Sequence, residues 1–348
     1  MPGVRLAVIV VCHDSAQEIA GTLAALGDQL GPDDELVVVD NASGDATSAV
    51  ARRAAPEATV IETGANLGFA GGANAGAAAS SAPLLLFLNP DAVPAPGCLD
   101  ALRACAAARP DWGAWQALVT MADGRVVNTA GNEVHFLGFG WAGRCGEPVQ
   151  AVGDRPEPVG FASGAALVVR REAWDAVGGF DERYFMYGED LDLSLRLRLA
   201  GWGVGLEPRA MVAHDYTFAK GAYKWFYLER NRWWTILGAY PARLLALLLP
   251  ALLAFEVALL PVAWRGGWLA AKLRAQAAVV RLLPAMLRRR RAVQAQRTIG
   301  DQTFAAALTA SLDSPYLAAV ARVPAIVALQ AAYWRAVRRA LDDRRSCR

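Results

Sequence analysis

The sequence predicts an α/β fold: a mostly parallel sheet flanked by helices, followed by a helical, basic C-terminal region. Three observations predict it. Short apolar runs alternate with helix-like stretches in the order β-α-β-α-β-α-β across residues 6–88. Polar residues gather where those runs end, at His13-Asp14, Asp40-Asn41 and Asn89-Asp91, the edge at which open α/β sheets bind ligands. From Trp225 the composition turns aromatic, apolar and arginine-rich.

The elements follow in order. LAVIVVC (6–12) reads as a first buried strand, and Ser15 as the cap of a helix over Gln17–Leu30, stopped by Gly31-Pro32. Leu36–Val39 is a second strand. Asp45 or Thr47 caps a helix through Ala55, and Val60–Glu62 is a short third strand. The glycine-rich stretch 66–76 leads into an alanine-rich helix. It contains no GxGxxG and lies between the third and fourth strands, which argues against a dinucleotide site. Its glycines allow either close approach to a phosphate or sugar, or close helix–sheet packing. Leu84–Leu88 is five apolar residues stopped by Asn89-Pro90-Asp91, since Pro90 has no N–H to pair. Pro94–Gly97 opens a helix over Cys98–Ala108. Residues 112–158 read as irregular, and a loop region of that length inside a domain is usually functional. Residues 161–170 run from a small-residue turn into a strand. The leucines from Leu191 to Leu199 fit a strand by strict alternation and a helix by stripes ended at Gly201. As a helix, its N-terminus carries Glu189 and Asp190, where the dipole favours ionised carboxylates. Val204–Leu206 and Ala210–Val212 are short strand-like pieces before His214.

With 348 residues, 55% apolar and 20% charged, the chain suits one large domain or two and excludes disorder. The net charge of +2 hides an asymmetry: residues 241–348 carry a net +12, leaving −10 on residues 1–240. A basic tail on an acidic body points to a polyanionic neighbour. Cys12, Cys98, Cys105, Cys145 and Cys347 are odd in number and scattered. They suggest neither a zinc site nor a disulfide framework, and fit a reducing compartment. No secretory leader is expected, because only Leu6–Cys12 is apolar before His13 and Asp14.

Taken in order, VVVDNASGD (37–45), NLGFAGGANAG (66–76), LLLFLNPDA (84–92), SGAALVVRR (163–171), VGGFDERYFMYGEDLDLSLRL (177–197) and EPRAMVAHD (207–215) resemble the family 2 glycosyltransferases, with their GT-A-type, Rossmann-like fold. The bacterial rhamnosyltransferase and galactofuranosyltransferase type is most similar. Each motif alone is weak, but the ordered set is specific. The resemblance implies inverting, metal-dependent transfer of a rhamnose-like or other hexose. The donor would be a dTDP- or UDP-sugar and the acceptor a lipid-linked saccharide or other glycan of the cell envelope or surface polysaccharide. It implies that Asp40 contacts the base or ribose and that Cys12-His13-Asp14 flank the base, where the family more often has Thr-Tyr-Asn. Asn66, Gly68, Asn74, Asn89, Ser163 and Gly164 would complete the donor contacts. Asn89-Pro90-Asp91 stands in the place of the family's DXD, so that Asp91, with His214, would hold Mg²⁺ or Mn²⁺. Asp190, of the Glu189-Asp190 pair, resembles the general base. Residues 1–220 would form the catalytic domain, with a nucleotide-sugar half (1–110) and an acceptor half (111–220). A non-catalytic sugar-nucleotide scaffold on the same fold is the alternative, against which intact Asp91, Asp190 and His214 argue.

Residues 221–348 then form a membrane-associating region. WFYLERNRWW (225–234) suits a membrane interface. Leu244–Trp264 has one charge, Glu256, and the length to span a bilayer core. Trp268–Leu287 carries Lys272, Arg274 and Arg281, and Arg288–Arg291 follow. A single span would place those arginines on the far side, against the positive-inside rule. Helices lying on an anionic cytoplasmic membrane face are therefore favoured. A span remains an alternative, as does burial against the catalytic domain or a second subunit of a homo-oligomer. No nucleic-acid motif is present, and no nucleic-acid partner is expected.

Overall fold

A computed structural model describes residues 4–214, 223–311 and 323–342. Asp215, the end of the last motif, and Cys347 lie outside the described residues. The strands are β1 Leu6–Cys12, β2 Glu35–Asp40, β3 Thr59–Glu62, β4 Leu84–Leu88, β5 Val93–Pro94, β6 Trp112–Thr120, β7 Val127–Thr129, β8 Glu133–Val134, β9 Gly140–Trp141, β10 Glu157–Pro158, β11 Ala166–Arg170 and β12 Gly203–Ala213. The helices are α1 Ile19–Gly27, α2 Thr47–Ala54, α3 Gly68–Ala78, α4 Cys98–Ala108, α5 Arg171–Val177, α6 Glu189–Leu199, α7 Tyr223–Ala239, α8 Ala242–Arg265, α9 Leu269–Ala295, α10 Asp301–Ala305 and α11 Pro324–Asp342.

Among the described residues the chain forms two compact units. The first gathers residues 4–132, 144–197 and 202–214; the second gathers 133–143, 198–201, 223–311 and 323–342. The first unit is built on a ten-stranded sheet whose main path runs β10-β12-β6-β11-β4-β1-β2-β3. β1 pairs parallel with both β2 and β4, and β12 parallel with β6, while β11 runs antiparallel between β4 and β6. The chain winds outward through β1, β2 and β3, then returns to the other side of β1 as β4. That reversal creates a crevice at the carboxyl ends of β1 and β4.

Both faces of β1 are covered, which is why it reads as an unbroken apolar run. Val8, Val10 and Cys12 face a core shared with Ile19 and Leu23 of α1 and Leu99 and Leu102 of α4. Ile9 and Val11 face α3. The glycine-rich stretch is the helix itself rather than its lead-in. A Cβ on Gly72 would meet Val11 Cγ1 at 2.6 Å, and one on Gly76 would collide with Ile9. The glycines therefore let α3 approach the sheet.

Other expectations need correction. α1 begins at Ile19 after a turn, and no side chain caps it; the Ser15 hydroxyl bonds the His13 carbonyl instead. Asp45 Oδ1 accepts from the Thr47 N–H at 2.9 Å, ahead of α2. Residues 112–120 are not irregular: β6 is a nine-residue, fully buried strand between β11 and β12. The two strand-like pieces before His214 are one strand, β12, with a register shift between Glu207 and Met211. Gly203 and Gly205 of β12 are small because the Trp112 ring lies against them. Residues 189–199 are helical, ended by Gly201 at φ +94° with the Trp202 N–H on the Leu197 carbonyl. Burial on nearly every side makes all its leucines apolar positions and lets the sequence mimic a strand.

In the second unit, α7 packs along α9, and residues 269–291 belong to one continuous helix that Trp268 precedes. α8 is long and apolar enough to cross a membrane by length and composition. Pro250 and Pro261 lie inside it.

Candidate active site

The carboxyl ends of β1, β2, β4 and β12 place the polar residues that the sequence singles out. β5 follows Asp91 directly and pairs antiparallel with the end of β12, Val93 opposite Ala213 and Pro94 opposite Val212. That short pairing draws two sites far apart in sequence together: His214 Nε2 stands 3.1 Å from Asp91 Oδ1 and 3.4 Å from Asn89 Nδ2. His214 is buried, and Asp91 is partly exposed.

The Asn89 N–H donates to the Ala165 carbonyl at 3.1 Å. One residue back, the Gly164 N–H donates to Asp190 Oδ2 at 3.0 Å, and Asp190 Oδ1 accepts from the Leu191 N–H at 2.7 Å. The turn at 163–165 thus joins the Asp91–His214 pair to the first turn of α6. Burial raises the Asp190 pKa against those two N–H bonds, which lower it. Burial, then the neighbouring Asp190 carboxylate, raises that of Glu189 well above the ordinary range. Glu189 Oε2 is buried without a hydrogen-bond partner. The helix N-terminus alone suggests the opposite direction, and desolvation outweighs it.

Around β2, Asp40 is buried and its Oδ1 accepts from the Ser43 N–H at 2.9 Å. His13 Nδ1 lies 3.0 Å from the Asn41 carbonyl. Asp14, at φ +52°, accepts from the Gly44 N–H at 2.7 Å. Cys12 turns its thiol into the core, where burial, then the Asp40 carboxylate, keeps it protonated; it offers a ligand no side chain. Asn66 Oδ1 accepts from the Gly68 N–H at 2.9 Å. Gly68, at φ +70°, lies against the Phe185 carbonyl, so a side chain there would collide with it. Asn74 is not part of this edge. Its amide holds both the Phe180 carbonyl, at 2.9 Å, and the Phe180 N–H, at 3.1 Å, and so clamps α3 to the turn before α6.

Gln116 and Asp192 escaped the sequence reading, and Asn41 was legible only as half of a polar strand end. Gln116 on β6 accepts from the Ser163 N–H at 2.8 Å and from Asn132 Nδ2 at 2.9 Å, which sets the 163–165 turn. A lone Gln inside the apolar run WGAWQALVT was its signal. Asn41 receives the Leu67 N–H at 2.9 Å and donates to the Gly68 carbonyl at 2.9 Å. Asp192 accepts from the Tyr184 hydroxyl at 2.8 Å and from Arg196 Nε at 2.7 Å. Arg196 in turn reaches the Val177 and Gly179 carbonyls and pins α6 in place.

Asp91 and His214 supply one carboxylate oxygen and one imidazole nitrogen, and no group of three such ligands occurs among the described residues. A hard divalent cation that keeps waters and takes phosphate oxygens fits a pair of this kind.

Similarity to known proteins identifies the class. A family model described as glycosyl transferase family 2 matches residues 7–145, and one described as glycosyl transferase family group 2 matches residues 84–291. The N-acetylglucosaminyl-diphospho-decaprenol L-rhamnosyltransferase of Mycobacterium tuberculosis is 33% identical over 238 residues, 62% of this chain and 78% of that protein. The O-antigen biosynthesis protein RfbC of Myxococcus xanthus is 32% identical over 155 residues, 41% of this chain and 12% of that protein. Among solved structures, S. aureus TarS 1–349 in complex with UDP matches with a TM-score of 0.53 at 16% identity, covering 97% of this chain and 91% of that one. GalNAc-T7 with UDP, GalNAc and Mn²⁺ matches at 0.56 and 13% identity, over 68% and 48%. The fold is of the GT-A type, and the molecule is a glycosyltransferase. The chain belongs to glycosyltransferase family 2.

Proposed function

We propose that the protein transfers a rhamnose-like or other hexose from a dTDP- or UDP-sugar to a lipid-linked saccharide, with inversion, in cell-envelope or surface-polysaccharide synthesis. The catalytic machinery lies in the first compact unit. The observation that carries this reading is the hydrogen-bonded continuity from Asp91 and His214 through Asn89, Ala165 and Gly164 to Asp190. The rhamnosyltransferase relative, whose name specifies a diphospho-decaprenol-linked acceptor, supports the substrate class.

Asp40, with His13, Asp14 and Asn66, borders the nucleoside. Asn89, Ser163 and Gly164 border the diphosphate and sugar. Asp91 and His214 would hold Mg²⁺ or Mn²⁺, which supplies Lewis-acid stabilisation of the charge that develops on the leaving diphosphate. Asp190 takes the proton from the acceptor hydroxyl as that oxygen attacks the anomeric carbon from the face opposite the diphosphate. One base and one displacement give inversion, and no carboxylate nucleophile is required. Burial makes Asp190 a stronger base than an exposed carboxylate, and the Gly164 and Leu191 N–H groups hold its oxygens in place.

The basic tail attaches the protein to the cytoplasmic face of the membrane, where a polyprenyl-linked acceptor is presented. A donor panel with and without EDTA, using lipid-linked and water-soluble acceptors, tests the reading. The expected result is metal-dependent release of nucleoside diphosphate with a lipid-linked acceptor. The absence of release with every donor, or equal rates on a water-soluble acceptor, would overturn it.

A further inference from the structure

The second unit carries an unusual surface. From Ala242 to Trp264, every exposed residue of α8 is apolar. Leu249, Leu253, Val257, Leu260 and Trp264 follow one another at steps of four and three and so share a face. Leu253 and Val257 are 55% and 67% exposed. Leu244, Leu248 and Leu252 are buried on the other side. Glu256, the single acid in the helix, faces inward. It pairs with Arg232 of α7 and with Lys272 of α9 at 2.7 Å, and Gln276 Nε2 donates to it at 2.7 Å. Lys272 also pairs with Glu229 of α7 at 2.6 Å. Two acids and two bases make this buried cluster formally neutral, and it ties α8 to both neighbouring helices.

α9 continues the pattern. At about 100° per residue, the turn from Lys272, which faces α8, first meets an exposed apolar row, Leu273, Val280 and Leu287. Beyond it lies an exposed basic row, Arg274, Arg281 and Arg288. Apolar residues beside arginines repeated at the same seven-residue step suit a boundary between acyl chains and phosphates, with the arginine stems reaching outward. A span by α8 alone would break the Glu256 cluster, and a span with α9 would drag that arginine row into hydrocarbon.

We propose that α8 and the adjoining rows of α9 form an immersion surface for one leaflet of an anionic bilayer. α8 lies along the leaflet without crossing it, and Arg274, Arg281 and Arg288 contact lipid phosphates. This deepens the membrane attachment proposed above, but its test needs neither donor nor acceptor.

The full-length protein is sedimented with phosphatidylcholine vesicles with and without phosphatidylglycerol. Leu253→Glu/Val257→Glu changes two exposed positions and is expected to weaken binding to both vesicles at least tenfold, with an unchanged thermal melt. Arg274→Gln/Arg281→Gln/Arg288→Gln is expected to abolish the preference for phosphatidylglycerol. Single cysteines at Ala242→Cys and Arg265→Cys, probed with an impermeant maleimide in right-side-out and inside-out membrane vesicles, should both react only in the inside-out preparation. Labelling of the two ends from opposite sides would establish a span and overturn the proposal. So would unchanged vesicle binding by the glutamate variant together with dissociation of a lipid-free dimer, which assigns the face to a second copy. Loss of sugar transfer with vesicle binding intact would count against the catalytic reading alone.

Discussion

Asp190 and Glu189 are neighbours with different surroundings. Both are raised by burial, but only Asp190 has N–H donors from outside its own residue on both oxygens. Asp190→Asn keeps the shape and removes the proposed base, so transfer should fall by about 10²–10⁴-fold while nucleotide binding, measured by calorimetry, stays near wild type. The transfer rate should rise with pH through a value above the ordinary aspartate range. For Glu189, the folded-state pKa lies above the unfolded one. Between the two the native state binds more protons, so stability present at low pH is lost as pH rises through that window. Glu189→Gln removes this loss. Its melting temperature should exceed wild type at about pH 7 and converge with it near about pH 4, and a gain at both would contradict the assignment. Asp91→Ala should weaken donor binding at least tenfold with metal present and change little in EDTA.

At the scale of elements, α3 and β6 hold the site by packing that glycine and glutamine make possible. Gly76→Val pushes two methyl groups into Ile9 and Val39 and should cost about 1–3 kcal/mol in urea unfolding. Gln116→Leu leaves the Ser163 N–H and Asn132 Nδ2 without their acceptor. It should cost about 1–3 kcal/mol and also reduce transfer, because the Ser163–Ala165 turn aligns Gly164 with Asp190. An effect on stability with full activity would show that the turn is held by other means. In the second unit, Arg290 donates to the Leu237 and Tyr240 carbonyls at 2.8 and 2.7 Å, completing the end of α7. It is therefore not free for lipid headgroups, and the run Arg288–Arg291 does not act as one basic patch.

At the scale of the whole molecule, charge and apolar surface are segregated by residue range. The acidic part holds the sheet and its site, while the basic part holds α8 to α11. A high-salt wash of membranes should release at least part of the wild-type protein, because arginine–phosphate contacts are screened while apolar immersion is not. Complete resistance to salt and to carbonate would indicate a span. Truncation after Tyr240 is a poor instrument for this question, since it removes α9 from the buried face of α7. Exposed substitutions on α8 preserve the fold and separate attachment from folding.

The sequence by itself determined the order of strands and helices through β4, the helix α4, the strand-end positions of Asp40, Asn89 and Asp91, and the family. Those features rest on local signals: apolar period, glycine and proline punctuation, and motifs read in order. Tertiary structure alone decided the rest. β6 is a central strand because β11 and β12, distant in sequence, supply its ladders, whereas its own residues look irregular. Residues 189–199 became a helix because burial on nearly every side satisfies either period, and only backbone partners choose between them. The glycines of 68–76 proved to serve close packing, a fact that depends on Ile9, Val11 and Phe185. Glu256 turned inward because Arg232 and Lys272 lie on other helices. Asp91 met His214 through the two-residue strand β5. Each of these outcomes depends on contacts between distant segments, which no local pattern encodes.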